Sequence, residues 1–274
     1  MTEAVITRLQ ALQRQLRELG QVAVAVSGGV DSMTLAVVAA RILGNAHCEL
    51  FHAVSPAVPA VATARVRRYA AREGWSLRFL DAGEFADSAY LNNPVDRCFY
   101  CKTNLYRSIS ERTQAIIVSG ANRDDLNDYR PGLQAAGDYG VRHPLIEAGI
   151  DKAMVRAIAR YLGLTDLAEL PASPCLSSRV ETGIAIQPAA LTLIQRVEAL
   201  VSQEIQPGAV RCRLRHTGVA IELDRDSLAA LSPAHRNRLT GMIEPWCRQA
   251  GLAPFLGFEP YRTGSAFLRN AGHG

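Results

Sequence analysis

Long apolar runs are missing from this chain of 274 residues. No stretch reaches the roughly 20 residues that a bilayer-spanning helix needs, so no helical membrane span is expected. A secretion signal is missing too. The first residues, MTEAVITRLQALQRQLREL, read instead as an amphipathic helix with Val5, Leu9, Leu12, Leu16 and Leu19 on one face and Gly20 at its end. A cytoplasmic location is the expectation. Internal repeats and low-complexity tracts are absent. So is a strong charge of either sign: 30 basic against 26 acidic residues leave a net charge of +4, which suits phosphorylated substrates without calling for a nucleic-acid partner. Cysteines number six, and in a cytoplasmic chain they do not argue for disulfides. No Gly-Lys-Ser/Thr closes the main glycine-containing turn, which excludes a Walker loop there.

That turn is Ser27-Gly28-Gly29-Val30-Asp31-Ser32. It follows the apolar run Val22-Ala23-Val24-Ala25-Val26 and precedes Leu35, Val38, Ala39 and Ile42 at helical spacing. Strand, small-residue turn and helix make an anion cradle. Glycine lets backbone approach a ligand closely, and the first N–H groups of the helix point at it unpaired. The hydroxyls of Ser27 and Ser32 add donors.

Beyond the turn, strand and helix patterns alternate. Residues 48–54, 76–80 and 115–119 read as strands; residues 61–72 and 151–162 read as helices, the second capped by Asp151 and stopped by Gly163. This alternation predicts an α/β fold: a parallel sheet with helices on both faces. Ligands then bind beyond the carboxyl ends of the strands, in the loops around Ser27, Ser55 and Gly120. After residue 188 the pattern changes to a helix, a hairpin around Thr217-Gly218 and another helix, a smaller α+β domain. The expected division is residues 1–170, a functional connector at 171–188 and a C-terminal domain at 189–274. Arg65, Arg67, Arg68 and Arg72 read as decoration of an exposed helix, and no histidine sits in a metal or base motif.

Cys48, Cys212 and Cys247 fall in strand or helix patterns and read as small core residues. Cys98 and Cys101 form a C-x-x-C, which on its own is compatible with a redox dithiol, half of a zinc site or half of an iron–sulfur site. A thioredoxin-like βαβ setting is absent. Cys175, in Pro174-Cys175-Leu176-Ser177-Ser178-Arg179, is the candidate third ligand. Three thiolates can hold a 4Fe–4S cluster with one iron open.

SGGVDS resembles the pyrophosphate loop of the ATP pyrophosphatase superfamily, whose members split ATP to AMP and pyrophosphate while adenylating a substrate. The chain as a whole, from residue 22 to about 266, resembles the LarE family of ATP-dependent sulfur transferases, which build the nickel-pincer nucleotide. The resemblance rests on SGGVDS, HAVSPAVP, NPVDRCFYCK, GANRDDLNDYRPG, GVRHPLIEAGIDK, CLSSR, VRCRLRH and GFEPYRTGS.

The resemblance implies the following roles. Ser27, Gly28, Gly29, Asp31 and Ser32 hold ATP phosphates, with Asp31 positioning Mg²⁺. Ala53, Ser55, Gly120 and Asp125 border the nucleotide, although Asp124 and Asp125 also read as a solvated turn. Ser178, Arg179, Arg211 and Arg213 bind the phosphate of a small pyridinium mononucleotide; on spacing alone the two strand arginines read as a solvated sheet face. Cys175 bears the sulfur. In one branch of the family it is itself the donor and is left as dehydroalanine; in another, Cys98, Cys101 and Cys175 hold a 4Fe–4S cluster carrying a delivered sulfide, from a donor the sequence does not identify. This chain, having all three, matches the second branch. A homo-oligomer, a hexamer by resemblance, is implied as well. A tRNA-thiolating pyrophosphate-loop enzyme is the alternative, and a nucleotide-sensing module without catalysis is a further one.

Overall fold

A computed structural model describes residues 2–127, 131–172, 174–252 and 254–268. Asp128, Tyr129 and Arg130 of the GANRDDLNDYRPG segment lie outside the described residues. In chain order the elements are α1 (Thr2–Leu19), β1 (Val22–Ala25), α2 (Val30–Leu43), β2 (Cys48–Ala53), α3 (Ala60–Glu73), β3 (Ser76–Leu80), α4 (Ser88–Leu91), α5 (Arg97–Ser110), β4 (Ile116–Ser119), α6 (Pro131–Asp138), α7 (Pro144–Glu147), α8 (Lys152–Tyr161) and α9 (Thr165–Ala168). There follow α10 (Pro188–Ile205), β5 (Val210–Arg215), β6 (Gly218–Leu223), α11 (Arg225–Ala230), α12 (Pro233–Gln249) and β7 (Phe255–Pro260). No helix among the described residues is long and apolar enough to cross a membrane.

Two compact units result. The first comprises Met1–Ala86 and Cys98–Ser173, the second Asp87–Arg97 and Pro174–Gly274. The first holds a four-stranded parallel sheet in the order β3-β2-β1-β4. Side chains alternate across a strand, so β1 feeds two cores. Val22 and Val24 join a layer with Leu12 and Leu16 of α1, Leu35 of α2, Val66 of α3 and Ile158 of α8. Ala23 and Ala25 face Tyr106 and Ile109 of α5 and Ala136 of α6. The sheet is thus covered on both faces, as its strand–helix alternation predicts. α2 is apolar nearly all round because it is buried; Met33, Leu35, Ala36 and Val37 are inaccessible to solvent. Asp151 caps α8 by accepting a hydrogen bond from the Met154 N–H at 2.8 Å.

The strand order fixes where a ligand can bind. β1 lies between β2 and β4, and the chain winds outward to one side of it before returning to the other. The loops after β1 and β4 therefore part at a topological switch point, the crevice in which doubly wound sheets take ligands.

The second unit contains the predicted hairpin, β5 antiparallel to β6. A third strand, β7, adds to β6 in parallel with a bulge at Val219/Ala220. The sequence does not announce β7: Phe255–Pro260 carries Gly257 and ends in proline, and both weaken a strand pattern.

Candidate active site

Ser27 to Ser32 runs from the end of β1 into α2. Gly28 takes φ +83°, and a Cβ there would lie 2.9 Å from the Ala62 carbonyl oxygen of α3, so only glycine fits. The Ser32 hydroxyl folds the turn from within. It accepts from the Ser27 N–H at 3.1 Å, meets the Ser27 hydroxyl at 2.9 Å and donates to the Gly29 carbonyl at 3.2 Å. Gly29 stands at the N-cap of α2 in an extended conformation, and no side chain caps the helix. Its first N–H groups remain directed at the crevice, where a phosphate would meet them and the positive end of the helix dipole.

The loop after β4 crosses this turn closely. A Cβ on Gly120 would lie 2.6 Å from the Ser32 nitrogen and 2.7 Å from its Cα. Two residues on, the Asn122 side-chain amide donates to Asp31 at 3.2 Å. Lys152 at the start of α8 pairs with the other oxygen of the same carboxylate. Asp31 is thus aimed by two side chains from distant segments. Asp124 and Asp125 shape the loop that carries Asn122. Asp125 accepts from the Asn122 N–H at 2.9 Å, and Asp124 accepts from the Lys152 N–H at 3.1 Å. Ala53 ends β2 and Ser55 follows it, both half-buried, with the Ser55 hydroxyl accepting from the Ala57 N–H at 3.3 Å.

Three residues of this site escape the sequence reading. Asn122 and Lys152 are two, and Arg65 of α3, assigned above to an exposed face, is the third; its guanidinium donates to the Gly28 carbonyl at 2.7 Å. A compositional signal for Lys152 exists. The chain holds only two lysines, Lys102 and Lys152, beside 28 arginines, and both lysines fall in motif segments.

His52 braces the turn from below. A carbonyl can only accept, so Nδ1 carries the proton it gives to Val26 at 2.7 Å, and Nε2 pairs with the Thr63 hydroxyl at 2.9 Å. Burial pushes the pKa of His52 below the usual histidine range, and burial does the same to His143, whose Nδ1 lies 2.9 Å from the Ser119 hydroxyl. Both groups bind protons more readily unfolded than folded. Their contribution to stability is therefore complete above about pH 6.5 and is lost as the pH falls toward the folded-state values. Denaturant titrations should show stability declining between neutral pH and pH ~5, with a shallower decline in His52→Gln.

The second unit carries CLSSR. Cys175 is half-buried and precedes a short 3-10 turn, Leu176–Arg179. Arg179 is buried and holds a bidentate ion pair with Glu198 of α10 at 2.9 and 3.0 Å; its remaining nitrogen donates to the carbonyls of Pro174 at 2.7 Å and Cys175 at 3.2 Å. Ser178, also buried, accepts a hydrogen bond from that same nitrogen at 3.1 Å, while its carbonyl takes one from Arg213 at 2.9 Å. Arg213 is paired at 2.9 Å with the fully buried Glu222, and Arg215 bridges Glu222 and Glu259. The two arginines expected at a substrate phosphate, Arg179 and Arg213, thus have carboxylate partners, the half-buried Glu198 and the fully buried Glu222. Arg211 is half-buried, with its guanidinium 5.7 Å from the centre of the Tyr261 ring.

All six cysteines are thiols. Cys48, Cys212 and Cys247 are buried; desolvation pushes Cys48 up to about 12 and raises the other two as well, so they stay protonated and unreactive. Cys98 and Cys101 are half-buried near the start of α5, a placement compatible with ligand or dithiol chemistry. They belong to the first unit and Cys175 to the second. Among the described residues no three His, Cys, Asp or Glu side chains form a group that could hold a metal ion.

No protein-family model matches the chain. It is 29% identical over 221 residues, 79% of each chain, to the pyridinium-3,5-bisthiocarboxylic acid mononucleotide synthase of Lactiplantibacillus plantarum. It is 26% identical over 216 residues, 72% of this chain and 68% of the relative, to a subunit of the glutamine-hydrolyzing GMP synthase of Methanopyrus kandleri. An uncharacterized protein of Synechocystis, slr1717, is 34% identical over 226 residues, 81% of this chain and 83% of its own. The chain belongs to one family with that Synechocystis protein and is a homologue of the Lactiplantibacillus synthase.

Proposed function

We propose that this chain is an ATP-dependent sulfur transferase that turns a carboxylate of a pyridinium-3,5-biscarboxylate mononucleotide into a thiocarboxylate. The observation that carries this reading is the open turn at Ser27–Ser32, with its uncapped helix and its aimed Asp31, in a chain that also presents Cys175. The name of the Lactiplantibacillus relative supplies the substrate class.

In this reading the turn receives the β and γ phosphates of ATP. A substrate carboxylate oxygen attacks the α phosphorus, pyrophosphate leaves, and the carboxylate oxygen becomes part of an AMP leaving group. The N–H groups of α2 and the hydroxyls of Ser27 and Ser32 stabilise the charge that departs with pyrophosphate. Mg²⁺ would add further neutralisation, and Asp31 is a hard oxygen ligand suited to it. The Cys175 thiolate then attacks the acyl carbon and expels AMP, leaving a thioester. Loss of the Cys175 Cα proton with cleavage of the Cβ–sulfur bond releases the thiocarboxylate and leaves dehydroalanine.

The finer reading adds a 4Fe–4S cluster on Cys98, Cys101 and Cys175. Its support is the pairing of a C-x-x-C with Cys175 in segments that resemble the cluster-bearing branch. Cys98 and Cys101 lie in the first unit and Cys175 in the second, and no group of three donors forms among the described residues. No step above runs through the cluster.

Anaerobic incubation with MgATP and the biscarboxylate mononucleotide is expected to release pyrophosphate only when both are present. Release that instead requires tRNA, with binding that falls steeply as salt rises, would favour the tRNA-thiolating alternative.

A further inference from the structure

We propose that Arg65 is a further catalytic residue, a ligand for the leaving pyrophosphate. The inference rests on the reading of Ser27–Ser32 as a phosphate cradle and extends it to the wall of that cradle, α3.

α3 meets the turn at successive points on one face. Ala62 occupies the space that a Gly28 side chain would need, and Thr63 holds His52, which holds the Val26 carbonyl. Arg65 lies one turn past Ala62 and brings its guanidinium to the Gly28 carbonyl at 2.7 Å. That bond uses one of five N–H donors. The nearby carboxylate, Asp166, is engaged by Arg68 at 2.6 Å and by the Tyr69 hydroxyl at 2.5 Å. Among the described residues Arg65 has no ion-pair partner of its own. Burial and the neighbouring Arg68 disfavour its charge by more than Asp166 supports it, lowering its pKa from the ordinary arginine value.

A half-buried guanidinium tied to the rim of an anion cradle, whose nearby carboxylate is already bonded by Arg68 and Tyr69, is an incomplete electrostatic arrangement. A polyanion in the turn completes it. Arginine suits the role because its planar fork can keep the carbonyl on one edge while turning the other to phosphate oxygens. The charge grows as the bond to the α phosphorus breaks, so the contact strengthens along the reaction.

The test is calorimetric titration of the full chain, in Mg²⁺, with inorganic pyrophosphate and separately with AMP. Arg65→Gln retains a neutral donor near the Gly28 carbonyl and removes the charge. It is expected to weaken pyrophosphate binding about ten- to a hundredfold while leaving AMP binding nearly unchanged. Arg65→Lys is expected to recover part of that loss, and serves if the glutamine variant fails to fold. Unchanged pyrophosphate binding in Arg65→Gln would overturn the proposal. So would an equal loss for both ligands, which would mark Arg65 as a support of the turn alone. If the unaltered chain binds neither pyrophosphate nor ATP, the cradle reading fails together with the inference; normal binding by both proteins overturns the inference alone.

Discussion

Cys175→Ala is expected to abolish thiocarboxylate formation, by a factor on the order of 10³ or more, while pyrophosphate release continues within a few-fold of the unaltered rate. The two halves of the reaction are assigned to different units of the chain. Activation belongs to Ser27–Ser32 in the first, sulfur delivery to Cys175 in the second. Removing the thiol leaves the turn, Asp31 and Gly120 untouched, so adenylate still forms. Cys175→Ser tests the same point more sharply, because a hydroxyl conserves size and cannot supply sulfur. Product formation is read by mass spectrometry and pyrophosphate by a coupled assay. Intact-mass analysis of the unaltered protein should show loss of hydrogen sulfide after one turnover if Cys175 is the donor. Repeated turnover without mass loss, with about four bound irons that vanish in Cys98→Ala, would instead establish the cluster route.

Gly120→Ala carries the second large effect. The added Cβ would sit 2.6 Å from the Ser32 nitrogen and 3.0 Å from the Asp31 carbonyl carbon, and every neighbour at that distance is backbone. No rotamer change relieves such a clash. Either the loop after β4 moves away, carrying Asn122 off Asp31, or the start of α2 shifts and the N–H groups of the cradle lose their aim. The expected cost is about 1–3 kcal/mol in unfolding free energy. Pyrophosphate release is expected to fall about a hundredfold, the order seen when one preorganised donor is lost from a charge-stabilising site. Denaturant titration and initial rates check the two numbers separately. Gly137→Ala, in α6 with open space around the added methyl, is the matched control and should change neither appreciably.

These two substitutions also show what the linear chain reveals. Ser27–Ser32 is legible because its chemistry is local: an apolar strand, two glycines and a helical pattern are contiguous. The strand at 76–80 and the Asp151 cap are legible for the same reason. The loop at Gly120 is legible from the strand–helix alternation, but the crossing with Ser32 that makes Gly120 itself matter is not, since it depends on β1 and β4 being neighbours. Lys152 and Asp31 stand 121 positions apart, and their pairing follows from α8 packing beside α2. Arg65 looks like any other arginine on a polar helix face until α3 docks at Gly28. Asp87–Arg97 joins the second unit although it precedes the cysteine pair of the first, and composition does not mark that excursion. The partners of Arg179 and Arg213, Glu198 and Glu222, are likewise set by tertiary packing, and sequence spacing does not announce them.

The central claim is that the turn at Ser27–Ser32 makes a carboxylate oxygen of the substrate into a leaving group. Substrate labelled with heavy oxygen in its carboxylates, incubated anaerobically with MgATP, tests it most directly. The account predicts that AMP emerges carrying one heavy oxygen and that the thiocarboxylate product has lost one. AMP without the label, or product formed with no AMP at all, would contradict it.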